Sequence, residues 1–254
     1  MKCWVIFFNV MKYIITESQY KTLQEVGIRQ GIFKSSPVQY FWTFINSTIS
    51  DKKRINAFRN YYTKVLGADV SSLSSNEVLG FYDELDELGT SVLPKKLKSK
   101  NILSGFAFYL ATKFTKLKEG RGLVYFIDTR GDSRNYYFFN LESKLFVGRI
   151  ATNRSNITSG DSYKIKITAA EKSLIGMGYG TKMYLTILDE VDYLISDGTL
   201  YPSSLRVWTN SLPKYSNVWI MNNDLEFVPF KLNNGYNPEE VKYFIASIKN
   251  NKID

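Results

Sequence analysis

The most informative part of the sequence consists of two adjacent stretches, Ser162-Tyr-Lys-Ile-Lys-Ile-Thr168 and Ser173-Leu-Ile-Gly176-Met-Gly178-Tyr-Gly180-Thr-Lys-Met-Tyr184. The first alternates apolar and lysine side chains, which is typical of a half-buried β-strand. The second has three alternate glycines before a helical pattern. Glycines let a backbone approach a ligand closely, and the free amides at a helix N-terminus suit phosphate oxygens. The two stretches therefore predict a strand, a turn that could bind a phosphate, and a helix.

The glycine turn differs from the two best-known phosphate-binding loops. It lacks the Gly-Lys-Ser/Thr ending of a Walker loop, and Thr181 occupies the place where the dinucleotide fingerprint needs its third glycine. A tight strand-to-helix turn that binds nothing remains the alternative interpretation.

On both sides of the turn, the sequence predicts the elements of an α/β (α+β) protein. Aromatic or β-branched runs separated by turn signals predict strands. Those before the glycine turn cover 122–128, 134–140, 144–151 and 162–168. After it we expect a helix at about 180–190, a strand at 191–196, a helix from Pro202 to Leu212, strands at 217–222 and 225–230, and a last helix at 237–249 capped by Asn237.

The first part of the chain reads as mainly helical after an opening strand. Helices are predicted from Thr16 to Gly27, from Asp51 to Gly67, from Ser74 to Gly89 and over 102–118. We therefore expect a helical N-terminal region at 1–100 and an α/β domain at 101–254.

The composition excludes several chemistries. The 254 residues contain no histidine and one cysteine, Cys3. Histidine-dependent nucleophilic catalysis, imidazole metal sites and disulfide frameworks are thereby excluded, and no metal site is predicted. No window reaches the roughly 18 apolar residues of a membrane span, so we expect a cytoplasmic protein without a membrane partner.

The segment around the glycine turn resembles motif A of the GNAT superfamily of N-acetyltransferases. Gly178 and Gly180 match the two glycines of the family motif. The run Leu194-Ile-Ser-Asp197 and the later Tyr201-Pro-Ser-Ser-Leu-Arg-Val-Trp208 resemble its next strand and helix. The resemblance covers roughly residues 122–232 and implies an acyl-CoA N-acyltransferase-like mixed sheet flanked by helices. It also implies acetyl-CoA or another acyl-CoA as cofactor, an amine on a small molecule or protein as acceptor, and binding by Ile167, Thr168, Gly176, Met177, Gly178, Tyr179, Gly180 and Thr181.

Two positions depart from the family pattern. Ile175 occupies the Arg/Gln position of the motif, and Trp208 stands where many members carry a proton-donating tyrosine. An indole N–H donates hydrogen bonds but does not serve as an acid. Tyr201 is a weak substitute, so the catalytic residues stay unidentified. The alternative is a catalytically inactive scaffold with the same fold, such as a phage structural or host-interaction protein.

The net charge of +9 is concentrated in one segment. Residues 91–121 carry eight Lys and Arg against one acid, which gives +7, while the rest of the chain is almost neutral. The basic segment 95–118 predicts a solvated lysine-rich surface, one that steers an anionic ligand, or a nucleic-acid contact.

The acidic residues are interpreted mostly as surface charge. We interpret the carboxylates at 83–87 as charges on a solvated helix face, and we interpret Asp189, Glu190 and Asp192 in the same way. Asp197 is expected in a plain turn with Gly198, although it could also orient a substrate amine.

Overall fold

The computed structural model describes residues 4–8, 11–15, 37–87, 93–198, 200–231 and 240–249. The chain divides into two compact units, residues 1–36 and 37–254. In the first unit, strands β1 (Trp4–Phe8) and β2 (Met11–Ile15) pair antiparallel. This agrees with the predicted opening strand, whereas the predicted helix from Thr16 to Gly27 lies outside the described residues.

The second unit begins with a layer of helices. Its helices are α1 (Pro37–Thr48), α2 (Asp51–Arg59, continued by a π-helical turn at Asn60–Val65), α3 (Ser75–Glu87) and α4 (Lys100–Phe114). The predicted capping box of α3 is confirmed, because the Ser74 N–H donates to Glu77 Oε2 at 2.8 Å and the Glu77 N–H donates to Ser74 Oγ at 3.2 Å. Satisfying these end amides fixes where the helix starts.

These helices bury their apolar faces against the sheet that follows. Phe41 of α1 and Phe106 of α4 share one aromatic core with Phe139 and Phe146 of the sheet. The helical layer and the sheet are thus parts of the same unit, and the contacts divide the chain at Ser36–Pro37. The predicted division at residue 100 stays a prediction.

Nine strands form a single mixed sheet, which confirms the predicted α/β class. They are β3 (Lys118–Gly120), β4 (Leu123–Arg130), β5 (Ser133–Asn140), β6 (Phe146–Ser155), β7 (Ser162–Ala170), β8 (Tyr193–Ile195), β9 (Asn217–Asn222), β10 (Phe227–Pro229) and β11 (Val241–Ser247). Their spatial order is β10-β9-β11-β8-β7-β6-β5-β4-β3. All neighbours are antiparallel except β7 and β8, which are parallel.

The parallel pair needs a crossover, and helix α5 (Tyr179–Leu188) supplies it. Helix α6 (Pro202–Arg206) then connects β8 to β9 and continues as a π-helical turn at Val207–Ser211 and a 3₁₀ turn at Leu212–Lys214. The buried side of α5 shares a second core with Trp208 and with Phe244 of β11. This core fixes α5, and therefore the glycine turn before it, against the sheet.

The predicted helix at 237–249 is wrong over its described part, because Val241–Ser247 forms strand β11. The strand lies between β8 and β9, and Phe244, Ile245, Ala246 and Ser247 are all buried. Consecutive buried residues hide the polar–apolar alternation of a strand exposed on one face. Pairing with β8 and β9, about 20 to 50 residues earlier, therefore overrides the local pattern.

Candidate functional site

Strand β7 loses one of its two neighbours after the first third of its length. It pairs with β6 from Ser162 to Ala170, but with β8 only where Ser162–Lys164 meets Tyr193–Ile195. From Ile165 onward, the edge of β7 on the β8 side therefore has no strand partner among the described residues. Backbone N–H and C=O groups along such an edge are free to bind an extended ligand that carries amides.

A β-bulge marks the place where the two strands part. Ile165 pairs with Thr152 of β6 and Ile167 pairs with Ala151, so that Lys166 is the extra residue. Bulges bend a strand and re-aim its side chains, and they are common beside active sites. The predicted site residues Ile167 and Thr168 follow this bulge directly on the open edge.

The glycine turn lies just beyond the carboxyl end of β7. Gly176 and Gly178 have φ angles of 88° and 79°, in the left-handed region that favours glycine, and Gly178 is the N-cap of α5. A Cβ built at either position would meet nothing within 4 Å, so the space above the turn is open. A ligand can therefore reach the backbone at both glycines.

The first amides of α5 precede its intrahelical hydrogen bonds. The first helical bond here runs from the Lys182 N–H to the Gly178 carbonyl oxygen at 3.1 Å, so the N–H groups of Tyr179, Gly180 and Thr181 precede the ladder. Together with the positive end of the helix dipole, they form a site suited to phosphate oxygens. The structure thus places Ile167, Thr168 and the predicted residues of the turn at the same end of the sheet, around the carboxyl end of β7.

Side chains from other elements anchor the turn. Asn140, at the end of β5, donates from Nδ2 to the Tyr179 hydroxyl at 2.7 Å. Lys100, the first residue of α4, donates to Ser173 Oγ at 2.8 Å and pairs with the buried Glu171 at 2.7 Å. The basic segment is thereby attached to the start of the glycine turn.

The sequence interpretation missed Tyr184, which is 2% exposed and lies beside the open edge of β7. Its hydroxyl oxygen is 2.9 Å from Thr168 Oγ1. Burial raises the pKa of Tyr184, its hydrogen bond with Thr168 opposes that rise, and the nearby Asp197 carboxylate adds to it. Tyr184 therefore stays protonated at neutral pH and keeps a hydrogen to donate. Its local pattern is that of an ordinary core residue of α5, so no signal in the sequence singles it out.

Trp208 is fully buried against the Tyr184 ring, at a centroid distance of 5.7 Å. It is therefore a core residue behind the site. Tyr201 is the N-cap of α6 and is half-buried. Ile175 and Met177, which flank Gly176, are 65% and 64% exposed. The rim of the turn is thus apolar at the position where the family motif has a polar side chain.

A cavity of about 150 Å³ opens at the carboxyl end of β8. It is lined by Asp197 and Gly198 after β8, by Leu205 of α6 and by Lys242 and Tyr243 of β11. Because β7 and β8 are parallel, their carboxyl ends lie at the same end of the sheet. The cavity and the glycine turn are therefore at that same end. The expected Asp197 turn is confirmed, since the Gly198 N–H donates to Asp197 Oδ1 at 2.7 Å, and the turn also lines the cavity.

The acidic residues after α5 are partly exposed, and each forms an ion pair that the sequence interpretation did not include. Asp189 binds Arg121 at 2.7 Å, Glu190 binds Lys118 at 2.7 Å, and Asp192 binds Lys249. Hydrogen bonds from Lys118 and Tyr125 outweigh the effect of partial burial and lower the pKa of Glu190. Each partner is more than 50 residues away in sequence, so local spacing carries no sign of these pairs.

The basic segment is partly used inside the fold. Lys100 and Lys118 are ion-paired, whereas Lys113 lines a shallow groove of about 240 Å³ together with Lys53 and Tyr109. Neither Lys53 nor Lys113 forms an ion pair within the part of the chain that the structure describes.

Comparison with known proteins gives a weak structural likeness. No family model matches the chain, and no curated protein matches it. Among the solved structures, one that matches is an acetyltransferase of the GNAT family from Staphylococcus aureus. It is 11% identical, the match covers 78% of this chain and 93% of that chain, and the TM-score is 0.30.

None of the helices in the described part of the chain has the length and apolar character that a membrane span requires.

Proposed function

We propose that this protein binds acetyl-CoA or a similar acyl-CoA and transfers the acyl group to an amine. The observation that carries the proposal is the parting of β7 from β8 immediately before an open glycine turn at a helix N-terminus. An open strand edge suits the amide-bearing arm of CoA, and the amides of residues 178–181 suit its pyrophosphate. The residues present therefore fit the cofactor.

Bound acyl-CoA would supply a thioester, whose carbonyl carbon is the electrophile for an amine. The backbone of Ile167 and Thr168 would orient the ligand along β7, and the turn from Gly176 to Thr181 would hold its phosphates. Tyr184, kept protonated by burial, can donate to Thr168 Oγ1, and the Thr168 hydroxyl can pass a hydrogen bond toward the leaving sulfur. No covalent enzyme intermediate is needed, which suits a chain without histidine.

Calorimetric titration with acetyl-CoA tests the proposal directly. Gly178→Val should abolish binding, because the side chain would fill the open space above the turn. Gly131→Val is the matched control: Gly131 also has a positive φ and open surroundings, but lies in the β4–β5 turn at the opposite edge of the sheet. Absence of binding to the unmodified protein, or equal binding by both variants, contradicts the proposal.

The second candidate is a scaffold that keeps the binding fold without catalysis. The burial of Trp208 favours it, because no proton donor stands at that position of the family pattern. Release of free CoA thiol in the presence of an amine panel separates the two candidates. Acetyl-CoA binding without thiol release supports the scaffold, in which case a phage structural or host-interaction role becomes the proposal to pursue.

Nucleic-acid binding through residues 95–118 also remains a proposal. The groove beside Lys53 and Lys113 gives it a cationic surface. Phosphate contacts release counterions, so binding of a DNA duplex should weaken steeply as salt rises and should weaken further in Lys113→Ala. A flat response to salt would remove this candidate.

A further inference from the structure

The cavity at the carboxyl end of β8 combines two opposite charges with apolar walls. Its apolar lining includes Leu200, Leu205 and Phe244, and its charged lining consists of Asp197 and Lys242. At about 150 Å³ it is well below the roughly 300–1,000 Å³ of drug-sized pockets. The cavity therefore suits a small ligand with both polar and apolar parts.

Asp197 and Lys242 line the same cavity without pairing to each other. No ion pair within 4.0 Å joins either of them to another side chain in the described ranges. Asp197 Oδ1 accepts only the Gly198 N–H, at 2.7 Å, which leaves the carboxylate able to bind a cation. Asp197 is half-buried and Lys242 is exposed, and two opposite charges that line one small cavity are complementary to a ligand that carries both.

The position of Lys242 follows from an irregularity in β11. Val241 pairs with Asn222 and Tyr243 pairs with Met221, so Lys242 is the extra residue of a β-bulge. A bulge re-aims a side chain out of the regular alternation. Both strands that border β8 thus carry a bulge, at Lys166 of β7 and at Lys242 of β11.

Tyr243 is held in place beside Lys242. Lys164 of β7 donates from Nζ to the Tyr243 hydroxyl oxygen at 2.8 Å, and the same ammonium lies 4.0 Å from the ring centroid. Because the phenol oxygen accepts this bond, its own hydrogen remains available to a ligand. Tyr243, which lines the cavity, is therefore fixed in position and keeps a hydroxyl hydrogen to donate.

We propose that this cavity binds the acceptor and that the acceptor is an amino acid with an apolar side chain, an inference that rests on the proposed acyl transfer. Asp197 binds the ammonium, Lys242 binds the carboxylate, and Leu200, Leu205 and Phe244 contact the side chain. During transfer the amine nitrogen bonds to the thioester carbonyl carbon and the carbon–sulfur bond breaks. Of the two protons lost by the ammonium, one goes to water past Asp197 and one ends on the thiol.

Ligand-observed NMR with three matched probes tests the proposal without acyl-CoA. Leucine carries both charges, 3-methylbutylamine carries only the ammonium, and 4-methylpentanoate carries only the carboxylate. We expect leucine to bind about tenfold or more tighter than either analogue. Equal binding of leucine and 3-methylbutylamine would overturn the assignment of Lys242, and failure of alanine, valine, leucine and methionine to bind would overturn the whole inference.

Two variants assign the charges. Asp197→Asn should weaken leucine binding about tenfold and should not weaken 4-methylpentanoate binding, while Lys242→Met should weaken leucine binding about tenfold and should not weaken 3-methylbutylamine binding. Asp224→Asn and Lys214→Met change exposed charges outside the cavity and are the matched controls. Leucine affinity that is unaffected by Asp197→Asn contradicts the proposal.

Acetyl-CoA titration of the same samples separates the acceptor site from the proposed acyl transfer. If acetyl-CoA binds and no amino acid does, the inference about the acceptor fails and the proposed acyl transfer stands. If leucine binds with the expected selectivity and acetyl-CoA does not, the cavity is an amino-acid site and the acyl-transfer proposal fails, together with the acceptor role.

Discussion

The hydroxyl oxygens of Thr168 and Tyr184 lie 2.9 Å apart, at the point where β7 has no strand partner on one side. One residue belongs to the open strand edge and the other to the buried face of the crossover helix α5. The contact therefore links the proposed ligand-binding edge to a protonated side chain in the core.

Tyr184→Phe should slow acyl transfer about 100-fold while leaving acetyl-CoA affinity nearly unchanged. The phenyl ring keeps the packing against Trp208, and only the proton donor is lost. Turnover and calorimetric affinity, measured on the same protein, separate the two effects.

The control for this prediction is Tyr82→Phe. Tyr82 is also fully buried, and its hydroxyl donates to the Arg54 carbonyl oxygen at 2.9 Å within the helical layer. Its loss should cost about 1 kcal/mol of unfolding free energy without changing turnover. A Tyr184→Phe protein as active as the unmodified one would contradict the proposed role.

Lys100 and Glu171 should be energetically coupled, because their contact ties α4 to the residue that follows β7. Glu171 is buried and Lys100 is mostly exposed, so solvent screens part of the attraction. Urea unfolding of Lys100→Met, Glu171→Gln and the double variant should give a coupling of about 1 kcal/mol.

Lys116→Met is the matched control for Lys100→Met. Lys116 is an exposed lysine of the same basic segment and has no ion pair with any described residue. Lys116→Met should therefore change the unfolding free energy by less than about 0.5 kcal/mol. Additive effects of Lys100→Met and Glu171→Gln would show that the ion pair does not hold the turn.

Much of the fold is predictable because its signals are local. The capping box of Ser74 and Glu77 needs only three residues, and the alternation from Tyr163 to Ile167 identifies β7 without any partner. The glycine turn is likewise recognisable, since the left-handed φ angles at Gly176 and Gly178 demand glycine. The strand–turn–helix prediction and the α/β class follow from these signals.

The rest depends on contacts between distant residues. The second half of strand β11, from Phe244 to Ser247, is buried on both faces, which erases the alternation that marks a strand, and the strand is fixed by pairing with β8 and β9. The Thr168–Tyr184 contact and the Asp197–Lys242 cavity arise only once β7, β8 and β11 lie side by side. Spacing in the sequence cannot report which residues a crossover brings together.

Stability should fall in acid partly because of Glu190. Hydrogen bonds from Lys118 and Tyr125 outweigh partial burial and lower its pKa below the ordinary value of 4.5. A carboxyl whose pKa is lower in the folded state stabilises the fold above its unfolded pKa, and this contribution disappears as pH falls through the folded pKa. Glu190→Gln should therefore lose less stability than the unmodified protein as pH falls below 4.5.

Thermal unfolding across a pH series measures this effect. Glu142→Gln, which changes an exposed carboxyl in the β5–β6 turn, is the control and should keep the acid sensitivity of the unmodified protein. Identical pH profiles for Glu190→Gln and Glu142→Gln would rule out the proposed contribution of the Lys118–Glu190–Tyr125 contacts.

Gly148 of β6 should tolerate no side chain, because β6 and β7 approach very closely there. A Cβ at this position would lie 2.4 Å from the Ala169 carbonyl oxygen and 3.0 Å from Ala170 Cα, and both are backbone atoms that cannot rotate away. Gly148→Ala must therefore displace the end of β7 that leads into the glycine turn. It should cost about 1–3 kcal/mol of unfolding free energy and weaken acetyl-CoA binding at the same time.

Gly80→Ala gives the opposite expectation and so controls for the substitution itself. Gly80 lies inside α3, where an added Cβ meets nothing within 4 Å. Alanine is the better helix former, so this variant should gain up to about 1 kcal/mol and bind acetyl-CoA unchanged. Urea unfolding and calorimetry on both proteins decide the matter: a Gly148→Ala protein as stable as Gly80→Ala would mean that β6 and β7 do not approach as described.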